Sequence, residues 1–336
     1  MATIRAEEGL TFEDVLLVPQ FSDISSRTTV DTSTTIAGMH MRIPIISANM
    51  DSITELDMAE EMSFRGGLGI LHRFAEQNTV ESWIKTLVHN KRLAVPSIGI
   101  AESDLAKALS YIDLGVDAIC IDVAHGAHMR VKTMIKDIKE IRPRAKVIAG
   151  NVATRFGAEV LLRAGVDTIK VGVGPGSLCT TRIQTGCGVP QLTAIMDIAE
   201  LKKGTDFQLI ADGGIKYPGD ITKALAAGAD AVMIGGIFAG CLETPFINGK
   251  KIYRGMASKQ AQIDIRGHVN NDAPEGVAKD VALKGPVCDV LKELVGGLRS
   301  GMSYCAAANL KQLNEYAEFI RITRSGWAES LPHGLK

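Results

Sequence analysis

The chain has 336 residues, is 46% hydrophobic and carries a formal net charge of −1. That length suits one large domain or two medium ones, and the balanced charge argues against nucleic acid as the main partner. No apolar run reaches the roughly 18 residues needed to span a bilayer, and the first residues have no signal-peptide apolar region, so a cytoplasmic protein without a membrane partner is expected.

Taken in chain order, eight short apolar runs read as strands: 43–49, 68–72, 95–100, 118–123, 146–151, 168–173, 208–212 and 231–235. Amphipathic stretches such as 104–114, 129–141 and 221–227 lie between them. Continuous apolar strands alternating with helices point to a parallel sheet. Leu114-Gly-Val-Asp-Ala, Ala164-Gly-Val-Asp-Thr and Ala227-Gly-Ala-Asp-Ala form a weak repeat in which a helix ends and a strand begins. Glycine just past a helix permits the left-handed cap. Eight such units favour an α/β (β/α)8 TIM barrel spanning 1–336 as one domain. Beyond the eighth run, 244–284 is polar and poor in long apolar runs, and 259–285 reads as a mobile flap over the barrel mouth. Helical patterns resume near Cys288 and over 307–319, and the tail 324–336 reads as irregular.

The polar residues collect at the carboxyl ends of the strands, where barrels carry their active sites. The densest group is 172–188, in which glycines are followed by Ser177 and Cys179. Glycines let backbone N–H groups approach an anion closely, and a cysteine on such a loop can be held as its thiolate. Covalent chemistry on a phosphorylated substrate follows, with Cys179 as nucleophile; the alternative is a buried structural cysteine. Ser177, Gly214, Gly235 and Gly236 read as a phosphate cradle split across the last βα loops, although Gly235-Gly236 also suits a plain tight turn. Asp212 reads as a grip on ribose hydroxyls or as an Asx-turn residue. Asp122 and His125 are candidates for contacting a second ligand, and His125 is given no catalytic role. The carbonyls of Gly174, Gly176 and Cys179 could ligate a monovalent cation such as K+. Glu275, Lys279, Asp280 and Lys284 form a charge-rich stretch that also reads as a solvated loop. The six cysteines (120, 179, 187, 241, 288, 305) are scattered without a CxxC pair, which fits a reducing cytosol better than disulfides or zinc.

With Cys179-Thr180-Thr181-Arg182 following Gly-Pro-Gly-Ser, the chain resembles the IMP dehydrogenase/GMP reductase family. Leu10-Thr-Phe-Glu-Asp, Ala48-Asn-Met-Asp, Ala211-Asp-Gly-Gly, Tyr253-Arg-Gly-Met and Gly296-Gly-Leu-Arg-Ser carry the likeness over almost the whole length. The resemblance implies a homotetramer and attack by the loop cysteine on C2 of a purine nucleotide, GMP or IMP. It implies Thr181 as a helper, and substrate contacts from Gly213, Tyr253, Gly255, Met256 and Ala257. It also implies cofactor contacts from Ser26, Arg27, Arg73, Asp122, Val123, Ala124 and Ser300, Gly301, Met302, Ser303, some across a subunit boundary. Dehydrogenases carry Arg-Val-Pro-Tyr-Lys-Gly in the flap; here it reads Asp280-Val-Ala-Leu-Lys-Gly. Reductases have an acid at the Arg position, so Asp280 is expected to serve departing ammonia. Asp122-Val-Ala-His-Gly also resembles the reductases. So does the absence of a regulatory CBS insertion between 73 and 95. The tail from Ile322 and Gly188-Val-Pro-Gln look more like dehydrogenases. The resemblance therefore implies an NADPH-dependent GMP reductase. An IMP dehydrogenase with an altered flap, and a catalytically silent nucleotide-binding relative, are the alternatives.

Overall fold

The computed structural model describes residues 2–269 and 273–332. Eight parallel strands close into a barrel: β1 (Ile45–Ser47), β2 (Leu68–Leu71), β3 (Val95–Ile98), β4 (Ile119–Asp122), β5 (Val147–Val152), β6 (Thr168–Val171), β7 (Gln208–Asp212) and β8 (Ala231–Ile234). Each pairs with its sequence neighbours, and β8 closes on β1. All eight lie within or overlap the runs read as strands. A helix follows each strand on the outside, from Leu56–Arg65 after β1 to Pro218–Ala226 after β7 and Val287–Tyr304 after β8. The repeated joints behave as their glycines require: Gly115, Gly165 and Gly228 all have positive φ.

The strands bury both faces. Ile45, Leu71, Ile119 and Ile169 face the helices, while Ile46, Ile70, Val95, Cys120, Ile148 and Ile210 fill the barrel. An antiparallel hairpin, Thr34–Ile36 with Met39–Met41, contributes Ile36 and Met41 to the inner cluster. Its turn, Ala37-Gly38, has positive φ at both residues, as a two-residue hairpin turn requires.

The region beyond β8 is more ordered than its composition suggests. It holds a strand, Ile252–Arg254, a helix, Lys259–Arg266, and a second strand, Ala278–Asp280, paired antiparallel with the first. Part of the segment read as a flap, 270–272, lies outside the described residues. The tail also departs from expectation. Phe319–Arg321 pairs with Val15–Leu17, and Arg324–Glu329 is a helix whose first turn is capped by Thr323 Oγ1, 3.1 Å from the Gly326 N–H. The last four residues of the tail, 333–336, are likewise outside the described residues. Among the described residues no helix is long and apolar enough to cross a membrane.

Candidate active site

At the carboxyl end of β6 the chain turns over β7. Gly172 has φ +147°, and a Cβ there would sit 2.2 Å from the Asp212 carbonyl oxygen, so the crossing admits only glycine. The loop closes through the Cys179 N–H donating to the Gly176 carbonyl at 3.0 Å. The Cys179 thiol donates to Thr181 Oγ1 at 3.1 Å, and Thr181 Oγ1 donates to Glu275 Oε2 at 2.7 Å. Glu275 lies 94 residues downstream and reaches the loop through the backbone. Cys179 bridges Gly276, the Val277 N–H donates to the Leu178 carbonyl at 3.1 Å, and the Gly255 N–H donates to the Val277 carbonyl at 3.0 Å. A Cβ on Gly276 would stand 3.3 Å from the Gly255 Cα, so the two backbones run close together here.

Asp280, expected beside Thr181, is not there. It ends the outer strand Ala278–Asp280 opposite Ile252, with its side chain 65% exposed and paired to Lys250 at 2.9 Å. Pairing in register with Ile252–Arg254 fixes Asp280 at the outer edge, while the turn before that strand delivers Glu275. Leu283, at the position where dehydrogenases carry Tyr, is likewise exposed.

A cavity of about 440 Å³ opens beside Cys179. Asp212, Gly213, Gly235 and Tyr253 line one side, and Gly255, Met256 and Ala257 close it above. Ser177 borders this wall: its Oγ and the Tyr253 hydroxyl are 3.3 Å apart, and a Cβ on Gly236 would lie 3.2 Å from that Oγ. Gly214, left-handed at φ +86°, packs beside Pro175. Burial pushes the Tyr253 phenol up, and the Ser177 contact only partly offsets this, so the phenol stays a proton donor at neutral pH. Hydroxyls and close-approach glycines together suit a phosphate. Gly174 and Gly176 also border the cavity.

The floor of the cavity is charged. Lys170, on β6 and 2% exposed, donates to Asp212 Oδ2 at 2.7 Å, reaches Asp122 Oδ1 at 3.0 Å, and donates to Asn151 Oδ1. Asn151 in turn donates to Asp212 at 2.9 Å. Burial pushes the Asp122 carboxyl up, but Lys170, Arg73 and a hydrogen bond from Asn49 more than reverse this and hold it below the usual range. Burial pulls the Lys170 ammonium down, but Asp212 and Asp122 more than reverse this and hold it well above its usual value. Val123, Ala124 and Arg73 extend the wall on the β2–β4 side. Arg73 stacks over Phe74 at 4.6 Å, and its Nε is buried without a hydrogen-bond partner. An open guanidinium in a cavity wall suits a phosphate or another anion.

The remaining residues expected at the cofactor lie outside this cavity. Ser26 caps a short turn, and Arg27 stacks over Tyr304 at 5.5 Å beside the end of Val287–Tyr304. Ser300 and Ser303 sit in the same helix end, joined by a Ser303 Oγ to Ser300 carbonyl bond of 2.7 Å. Met302 is fully buried, and a Cβ on Gly301 would strike Thr222 Oγ1 at 2.6 Å. Those two residues pack the helix on Pro218–Ala226.

Sequence reasoning assigned no role to Lys170, Asn49 or Asn151 and read Glu275 as part of a solvated loop. A lone lysine inside an otherwise apolar strand was a signal for the first, because burying that charge requires partners. Asn49 lies just beyond β1, and Asn151 is the penultimate residue of β5. Nothing local marks Glu275, since its contact depends on a long-range backbone pairing.

Residues 9–333 match the family model described as "IMP dehydrogenase / GMP reductase domain". An inosine-5'-monophosphate dehydrogenase of Cryptosporidium parvum is 37% identical, covering 100% of this chain and 98% of the relative. A GMP reductase of Leishmania donovani is 32% identical, covering 98% and 97%. The crystal structure of a cysteine-to-alanine variant of GMP reductase from Trypanosoma brucei, in complex with guanosine 5'-monophosphate, superposes with a TM-score of 0.90 at 29% identity, covering 98% of both chains. The alignment with the Leishmania reductase runs over 478 positions and that with the Cryptosporidium dehydrogenase over 393. Inserted length therefore does not divide the two activities.

Proposed function

Because the chain belongs to the IMP dehydrogenase/GMP reductase family, whose members are oxidoreductases using nicotinamide cofactors, we propose that it is a GMP reductase converting GMP and NADPH to IMP, ammonia and NADP+. The observation that carries this reading is the hydrogen-bonded series Cys179–Thr181–Glu275, with Asp280 and Leu283 outside it where dehydrogenases carry the Arg and Tyr that activate water. The series is directional: thiol to hydroxyl to carboxylate.

The chemistry follows that direction. Glu275 takes a proton through Thr181, and the Cys179 sulfur adds to C2 of GMP. The C2–N bond breaks as the same path returns the proton to the departing amine, which leaves as ammonia. C2 is then held as a thioether-like adduct on Cys179, with Asp280 and Leu283 standing at the positions of the water-activating Arg and Tyr. NADPH supplies the hydride that replaces sulfur at C2. Cys179 leaves as thiolate and takes a new proton from solvent, since its first one left with ammonia, and IMP departs. Asp212 holds the ribose, while Ser177, Tyr253, Gly213, Gly214, Gly235 and Gly236 hold the phosphate. Gly255, Met256 and Ala257 face the base.

Arg73 and Asp122–Ala124 would hold the dinucleotide; the buried, unpartnered Nε of Arg73 fits its phosphate. Ser26, Arg27, Ser300 and Ser303 would meet the dinucleotide of a neighbouring copy in a homotetramer, which light scattering would count. The Gly176 carbonyl has one lone pair left for a monovalent cation after accepting from Cys179, and the Gly174 and Cys179 carbonyls would add to its shell.

The dehydrogenase reading has the names of most relatives in its favour and the flap sequence against it. Ammonia release tests the proposal. Wild type should release one ammonia per GMP consumed with NADPH, and Cys179→Ala should bind GMP and release none. XMP formation from IMP and NAD would establish the dehydrogenase instead.

A further inference from the structure

Lys170 occupies an unusual place. It is a charged side chain within the closed barrel, pointing to the floor of the cavity, with neighbours Ile169 and Val171 facing the outer helices. Its ammonium has three protons and three acceptors: Asp122 on β4, Asn151 on β5 and Asp212 on β7. Nothing remains for a ligand, so Lys170 does not itself bind one. The two carboxylates it joins have different duties in the reading above, Asp212 toward the nucleotide ribose and Asp122 toward the dinucleotide.

We propose that Lys170 is the positioning residue for both halves of the site, its one ammonium fixing the carboxylate that holds the nucleotide and the carboxylate that holds the dinucleotide. The inference rests on the functional reading given above and deepens it. Both carboxylates lie within hydrogen-bond reach of one nitrogen, so they are within about 6 Å of each other. Two carboxylates that close share a site badly unless a cation lies between them; without it one of them takes up a proton. A protonated or displaced carboxylate cannot accept from ribose hydroxyls in the same geometry. A misplacement of about 1 Å can cost on the order of 10²-fold.

The groups facing this nitrogen are few. Asp122 and Cys120 come from β4, Asn151 from β5 and Asp212 from β7, and Arg73 beyond β2 acts on Asp122. Burial pushes the Cys120 thiol up to about 12, so it stays neutral. Removing the ammonium leaves Arg73 as the one nearby cation among these groups, and it favours Asp122. Asp212, at the nucleotide end, is then the carboxylate left without a cation. Because Arg73 does not bond in the place of Lys170, Asp122 is released from its position as well.

The test uses the whole enzyme and calorimetric titration with GMP and with NADPH, beside turnover. In Lys170→Met, the dissociation constants of both ligands should rise at least tenfold at pH 7, and kcat/KM should fall roughly a hundredfold. GMP affinity should then recover in part as the pH is raised, relative to wild type at each pH. Lys170→Arg keeps the charge and should restore the wild-type pH profile while leaving kcat/KM reduced. If Lys170→Met does not fold, the double variant Lys170→Met/Asp122→Asn relieves the charge conflict. It should still bind GMP at least tenfold more weakly than Asp122→Asn alone. A loss confined to one ligand, or a Lys170→Met profile parallel to wild type, overturns the inference and leaves the functional reading standing. Wild type that binds neither ligand overturns both.

Discussion

Glu275→Gln isolates the chemistry assigned to the seam between the cysteine loop and the segment after 272. The amide keeps an oxygen that accepts from Thr181, now at 2.7 Å, so the hydrogen bond and the local packing survive. What is lost is the capacity to take and return a proton. A positioned acid or base contributes roughly 10²–10⁴-fold, which at about 1.4 kcal/mol per decade is about 3–5 kcal/mol of barrier. The expected result is a kcat for GMP and NADPH lowered at least a hundredfold, with GMP binding by calorimetry changed less than threefold. Asp280→Asn, at a side chain 65% exposed on the outer strand, should change kcat less than twofold, because exposed ion pairs such as Lys250–Asp280 contribute little. Near-normal turnover by Glu275→Gln, with a large loss in Asp280→Asn, would refute the reasoning and return the acid to Asp280.

Other consequences follow from single residues. Gly172→Ala should cost on the order of 1–3 kcal/mol of stability and most of the activity, since its Cβ would meet the Asp212 carbonyl at 2.2 Å; Gly219→Ala, in a helix with nothing near its Cβ, should leave turnover unchanged and melting the same or slightly higher. Peptide mass spectrometry after iodoacetamide at pH 7.5 should find Cys120 and Cys241 unlabelled, because burial pushes their thiols up to about 12 and about 11. Exposed Cys187 should label in all samples, and Cys179 only when GMP is absent; labelling of Cys179 unaffected by GMP would count against its place at the substrate. Burial pushes the Asp167 carboxyl up, but bonds from Lys139, Lys146 and the Val147 N–H more than reverse this and hold it low. A lowered carboxylate stabilises above its unfolded value near pH 4, and that stability is lost as pH falls through the folded value. Asp167→Asn should thus lower Tm by roughly 3–6 °C at pH 7, with the difference shrinking as the pH falls below about 4, read by thermal denaturation.

The barrel was legible because each parallel strand is covered on both faces and so reads as one apolar run bounded by polar ends. The glycine joints supplied the periodicity that separates a closed barrel from an open sheet. The Cys179–Thr181 pair was legible because it is local. Glu275 was not: it meets Thr181 through a backbone pairing between segments about a hundred residues apart, Cys179 with Gly276 and Leu178 with Val277. Asp280 drew attention by its motif position, yet strand register places it on the outside. The short helix Arg324–Glu329 was missed because its stability comes from the Thr323 cap and from packing on the first turn of the chain, neither of which shows as apolar periodicity. Lys170 was legible as a buried charge in need of partners, but its partners were not, since Asp122 and Asp212 reach it only when the barrel closes.

The account's central claim is the direction of the reaction. Absorbance at 340 nm, followed for the purified protein in two mixtures, tests it most directly. With GMP and NADPH the absorbance should fall at a rate proportional to enzyme, and with IMP and NAD it should stay flat. A flat trace in the first mixture and a rising one in the second would contradict the account and make the protein a dehydrogenase without the usual Arg and Tyr.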